Sequence, residues 1–107
     1  MSLDFRLKKM QMTTVFDSNI THNLGKMADA VGVYYALWHP EEKGYKTALD
    51  IIPILEEGLK QLELEPEKFK KFNAPNGWGK YEHFVPFVKG CLSACKTYPD
   101  ALLDPSA

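Results

Sequence analysis

The first twenty residues alternate. Leu3, Phe5 and Leu7 are apolar, with Asp4, Arg6 and Lys8 between them. That period of two puts one set of side chains on each face of a pleated strand. Met10, Met12, Thr14 and Phe16 continue it, with Lys9, Gln11, Thr13 and Val15 on the other face. Val, Thr and Phe suit a half-buried pleated surface. The pattern predicts two strands reversing near Lys8-Lys9, with one long bent strand as the rival. An isolated hairpin is marginal in water, so it must lie on helices or pair with a second copy of itself.

At Asp17-Ser18-Asn19-Ile20-Thr21 the pattern changes, and several helix-capping residue types stand in a row. Leu24, Met27, Ala28, Val31, Tyr34 or Tyr35, and Trp38 follow at steps of three and four. This spacing predicts one long helix, ended by Pro40. Gly25 and Gly32 weaken it and share a face where another backbone can come close. Thr47 with Asp50 resembles a capping box before Ala48, Ile52, Leu55, Leu59 and Leu62. Pro66 suits the first turn of a short helix through Phe69 and Phe72. Tyr81, Phe84, Val85, Val88, Leu92 and Cys95 form the last apolar face, and Tyr98-Pro99-Asp100 stops it. The stretches Ile51-Ile52-Pro53-Ile54-Leu55 and Phe84-Val85-Pro86-Phe87-Val88 look alike, a short match that supports a decayed repeat of a bent helix only weakly.

These elements predict an α+β fold: an N-terminal β-hairpin packed on a bundle of three main helices plus one short helix. The chain reads as a single domain, residues 1–107. The hairpin occupies 1–20, the helical body 21–98 and a loose tail 99–107. Gly77-Trp78-Gly79 reads as a tight turn pinned by its indole, setting the helices on either side at an angle.

Composition narrows the classes. Hydrophobic residues make up 45% and charged residues 25%, which argues against disorder. A net charge of -1 offers no electrostatic footprint for a nucleic-acid backbone. The cluster Lys68, Lys70 and Lys71 is interleaved with Glu63, Glu65 and Glu67 and reads as a solvated face. No apolar run approaches the ~20 residues of a membrane span, and the N-terminus lacks a signal-peptide core. Cys91 and Cys95 stand four apart, which suits a reducing, cytoplasmic setting better than a disulfide scaffold.

Chemistry is harder to place. Cys91 and Cys95 with His83 invite a zinc reading. At about 100° per residue, however, Cys95 sits mid-face, Cys91 lies at the edge and His83 points away. No metal and no cofactor are expected. Ser18, Ser93 and Ser106 lack a nucleophile elbow, and no glycine-rich phosphate loop is present. The polar stretch Asn19-Ile20-Thr21-His22-Asn23 stands out. At a helix N-terminus its amides, hydroxyl and imidazole would favour an anion or a carbonyl oxygen, although ordinary capping explains it too. Asn76, Trp78 and Tyr81 supply a second candidate half of a pocket.

The stretch Asn19-Ile20-Thr21-His22-Asn23-Leu24-Gly25-Lys26-Met27-Ala28 and the stretch Asn76-Gly77-Trp78-Gly79-Lys80-Tyr81 carry a resemblance. So do Leu37-Trp38, Pro40-Glu41-Glu42, Ala94-Cys95 and Tyr98-Pro99-Asp100-Ala101. Together they resemble a small protein family met in bacteriophage and bacterial genomes that has no assigned activity. The resemblance implies a small soluble protein of mobile-element origin and supplies no catalytic residues.

The expected function is an interaction module that binds a protein or a small polar ligand through Asn19, Thr21, His22, Asn23, Asn76, Trp78 and Tyr81, because polar and aromatic residues concentrate in two loops. No catalytic residue is assigned, and neither nucleic acid nor membrane is expected as a partner. Two alternatives stand beside it. One is a small enzyme with His22 as general base and Asn23 or Asn76 orienting the substrate. The other is a homodimer assembled through the N-terminal hairpin.

Overall fold

The computed structural model describes residues 2–9, 13–73 and 79–106. The alternation at the start gives strands β1 (Ser2–Lys9) and β2 (Thr13–Thr21), paired antiparallel. Leu3, Phe5 and Leu7 point inward and are wholly buried. Lys8 and Lys9 are still paired, with Thr14 and Thr13, so the strands do not reverse at the Lys8-Lys9 position that the alternation suggests. The register slips between Leu7 and Lys8: Leu7 faces Phe16, but Lys8 faces Thr14. Val15 is therefore the extra residue of a β-bulge. The bulge sends Thr14 and Phe16 to opposite faces, which a strict period of two puts on one. It also lets the neighbours Val15 and Phe16 both pack against the core.

A third strand, β3 (Leu102–Leu103), completes the sheet in the order β2-β1-β3. Asp4 and Ser106 exchange backbone hydrogen bonds of 2.8 and 2.9 Å. The Asp104 carboxylate lies 2.9 Å from Lys8 Nζ and 3.5 Å from Arg6 Nε. The end of the chain through Ser106 is thus tied to β1, where the sequence suggests a loose tail. The physical reason is that the second edge of β1 carries N–H and C=O groups that need partners. A strand of two residues has no periodicity by which to announce itself.

The helical body contains α1 (Gly25–Val31), α2 (Tyr34–Trp38), α3 (Ala48–Leu64), α4 (Pro66–Lys70) and α5 (Tyr81–Thr97). The expected long first helix is two. Gly32 takes φ 88°, and Val33 N–H donates back to Ala28 O at 2.9 Å, a left-handed cap that only glycine adopts cheaply. The close approach expected at Gly25 and Gly32 occurs instead at Gly58. A Cβ there would fall 2.3 Å from Val33 Cγ1, so α3 presses on the segment between α1 and α2. The helices α3 and α5 are both 17 residues long, with Pro53 and Pro86 on their exposed sides. Thr47 and Asp50 form the capping box of α3. The first N–H of α5, on Tyr81, donates to Asn73 Oδ1 at 2.7 Å.

Phe5, Leu24, Met27, Leu37, Ile51, Leu55, Phe69 and Phe84 meet in one continuous core under the sheet. The fold is α+β: an N-terminal antiparallel sheet on a helical body. Among the described residues, no helix is long and apolar enough to cross a membrane.

Candidate functional site

The break at Gly32 has a consequence for the surface. It lets α2 present its aromatic residues beside α1 instead of prolonging it. Between them lies an open cleft of about 640 Å³, lined by His22, Gly25, Lys26, Asp29, Tyr34, Tyr35, Trp38 and His39. Its wall is a run of rings. Tyr34 stacks on Trp38 with centroids 5.4 Å apart and planes at 15°. Tyr35 meets Tyr34 edge-on at 84°, and His39 does so at 62°. Lys43 Nζ lies 4.8 Å from the Tyr35 centroid, a cation–π contact that fixes one side of that ring.

His22 and Trp38 are joined directly. The indole N–H donates to His22 Nδ1 at 2.8 Å. An imidazole nitrogen that accepts carries no proton, so the ring proton sits on Nε2. Lys26 and Asp29 stand one helical turn apart on α1, and the side chain of neither is engaged by another described residue. The cleft thus combines ring faces with one uncommitted ammonium and one uncommitted carboxylate.

The residues singled out in the sequence divide between several places. Asn19 lies in β2, where its amide donates to Ser2 Oγ at 2.9 Å and Asp4 Oδ1 at 2.6 Å across the sheet. Thr21 ends β2 and caps a 3-10 turn over His22–Leu24, accepting from Asn23 N–H at 3.3 Å. The polar stretch therefore closes a strand; it does not open a long α-helix. Tyr81 begins α5, and its hydroxyl donates to Leu62 O at 2.5 Å. Among the described residues of this set, His22 alone lines the cleft. Asn76 and Trp78 lie outside the described residues.

The two motif stretches do meet, through Gly79. Its φ is 123°, and a Cβ there would lie 2.9 Å from Asn23 Cβ and 3.3 Å from Thr21 Cγ2. A bare backbone packs against the residues flanking His22, so glycine is required both for conformation and for space.

Cys91 and Cys95 are fully buried in α5, and His83 is exposed. Burial, with the neighbouring Cys95 thiol adding to it, pushes Cys91 well above the ordinary thiol range; burial pushes Cys95 up to about 12. These are inert core thiols. Among the described residues, His39, Glu41 and Glu42 bring ligand atoms within 4.8 Å of one another. His39 Nδ1 lies 3.3 Å from Glu41 Oε1 and 3.8 Å from Glu42 Oε2, and contacts between near neighbours in sequence account for the cluster.

Sequence reading missed most of the cleft, because Tyr34, Tyr35 and Trp38 fit a core-facing helical stripe. The signal was the density of rings in Tyr34-Tyr35-Ala36-Leu37-Trp38-His39 directly after Gly32, a run too bulky for one buried face. In comparisons with known proteins, no family model, no curated protein and no solved structure matches the chain.

Proposed function

We propose that this protein is a small binding module whose partner sits in the cleft between α1 and α2. The observation that carries the reading is the ring wall of Tyr34, Tyr35 and Trp38 facing the uncommitted Lys26 and Asp29. Concave, mostly aromatic sites with a few polar groups are the usual form of ligand pockets. The motif resemblance supports a mobile-element origin, and the paired core thiols suit a cytoplasmic setting. The general-base alternative draws less support. The lone pair that His22 would use at Nδ1 already accepts the Trp38 indole N–H, which leaves Nε2–H as a donor.

The test is a titration of the labelled protein with a set of small polar fragments, followed by amide NMR. Expected are shifts gathered at Gly25, Lys26, Asp29, Tyr35 and the Trp38 indole N–H. Tyr35→Ala should weaken binding at least tenfold without lowering the melting temperature, since Tyr35 is 39% exposed. Hits that gather instead around Tyr98 and Ala101, where a smaller cleft lies, would overturn the reading.

A second reading, homodimer formation through the hairpin, is favoured by the place of β2 at the sheet's edge, where one row of backbone groups has no neighbouring strand among the described residues. Light scattering that shows monomer alone at millimolar concentration would remove it.

A further inference from the structure

The bond between Trp38 and His22 exists in only one charge state of the imidazole. An indole nitrogen donates and never accepts. The contact of 2.8 Å therefore needs a bare lone pair on His22 Nδ1. A neutral imidazole offers that lone pair, whereas an imidazolium carries N–H on both nitrogens and offers none. Turning the ring over does not help, because the other nitrogen is protonated too. One proton taken up by His22 thus turns an attraction into two donors facing each other.

The surroundings give that change weight. Trp38 is almost fully buried, with Tyr34 stacked on its ring, so a stranded indole donor finds little water. His22 is half-buried and lines the open cleft, so solvent protons reach it. The charged and titratable groups around it are few. Lys26 and Asp29 come from α1, and Tyr34 and His39 from α2 and its end. Gly79 packs against Thr21 and Asn23, and Lys80 beside it lies 4.0 Å from Glu82. Among the described residues no carboxylate pairs with His22, so no anion stands ready to replace the indole when the ring becomes charged. His39 differs, because its Nδ1 already faces Glu41 and Glu42 and protonation strengthens those contacts.

We infer that His22 is a proton-operated switch: while neutral it ties the turn after β2 to the last turn of α2, and on protonation it releases Trp38 and frees that end of the cleft. Imidazoles change charge between about pH 5 and 8, so the switch works near neutrality. The sign follows from the lone pair. The tie supports the fold at the alkaline end of that range and is lost as the pH falls. The inference concerns the tie itself and stands whether or not a partner fills the cleft.

The test follows the isotope-labelled full chain by NMR from about pH 8 down to about pH 5. The signals read are the His22 ring nitrogens, the Trp38 indole N–H and the backbone amides. Expected is one midpoint shared by His22 and the indole N–H. Below it the indole N–H should exchange roughly tenfold faster, relative to free indole at the same pH. The amides of Gly25, Tyr35 and His39 should shift with it, while those of Leu3 and Phe5 stay in place. His22→Asn puts an amide oxygen near the position of Nδ1 and should hold the indole across the whole range. His39→Asn should leave the wild-type curve unchanged. A flat indole signal while His22 titrates overturns the inference, as does an indole signal that follows His39. So does a His22 that stays neutral throughout the range. Loss of the β1 amides at the same midpoint overturns it too, since the step would then be unfolding and not release.

Discussion

The Trp38 indole N–H and His22 Nδ1, 2.8 Å apart, tie the end of the hairpin to the last turn of α2. Trp38 is 3% exposed, so its donor has little water to turn to. The bond orients both rings at one end of the cleft. His22→Ala strands that donor, and an unsatisfied buried donor costs about 1–3 kcal/mol. Urea unfolding should show this loss, and the indole N–H should exchange faster with solvent. Unchanged stability with slow exchange would mean that another acceptor takes over.

Gly58 of α3 lies against the side chain of Val33, in the segment between α1 and α2, and leaves no room there for a Cβ. Gly58→Ala places a methyl where Val33 Cγ1 already sits, 2.3 Å away. Overpacking of this kind costs roughly 1–3 kcal/mol. Val33→Ala should also destabilise alone, by opening a cavity. The double variant should be more stable than the two single losses predict, because the valine removed is the one that clashes. Strict additivity in chemical denaturation would contradict the contact.

Acid should weaken the fold through two carboxylates. Backbone N–H groups of Lys46 and Thr47 hold Asp50 below its ordinary 3.8. A hydrogen bond from Lys8, together with the Lys8 and Arg6 charges, does the same for Asp104. A carboxyl depressed in the folded state stabilises it above the ordinary range and loses that effect as pH falls through the folded value. The melting temperature should therefore decline below about pH 4. Asp50→Asn and Asp104→Asn together should flatten that decline, and a profile unaltered by both would exclude the mechanism. At neutral pH, Asp50→Ala should cost on the order of 1 kcal/mol through loss of the cap.

The thiols give a clean reporter of unfolding. Cys91 and Cys95 are wholly buried, and burial pushes both thiols above the ordinary range, Cys95 up to about 12, so neither offers thiolate at pH 8. A thiol-specific colorimetric reagent should label neither residue in buffer and both in guanidinium. Rapid labelling of the native protein would mean that α5 opens readily.

Much of this architecture can be read from residue order. The α+β class follows from Leu3, Phe5 and Leu7 alternating ahead of the stripes that build α3 and α5. The capping box at Thr47 and Asp50 is equally legible, since it depends on neighbours in sequence. What escapes is set by distant contacts. Nothing near Gly58 announces Val33, and nothing near Leu102 announces β1. The Val15 bulge is hidden because both of its neighbours fit an unbroken period of two. The cleft is hidden for a related reason: a stripe of tyrosine and tryptophan looks the same whether a helix runs on or is broken at Gly32. The two motif stretches do converge, at Gly79 against Thr21 and Asn23, yet among their described residues only His22, Gly25 and Lys26 line the concave surface.

The placement of β1 between β2 and β3 also orders events in time. One of its neighbours is made within a few residues, the other only after α1 to α5 have followed. A nascent chain on the ribosome can zip the hairpin early but must wait for Leu102 and Leu103 to close the far edge. Loop closure of that span is entropically slow. Until it happens, the central strand shows an open flank to other nascent chains, and Leu102 and Leu103 act as its latch.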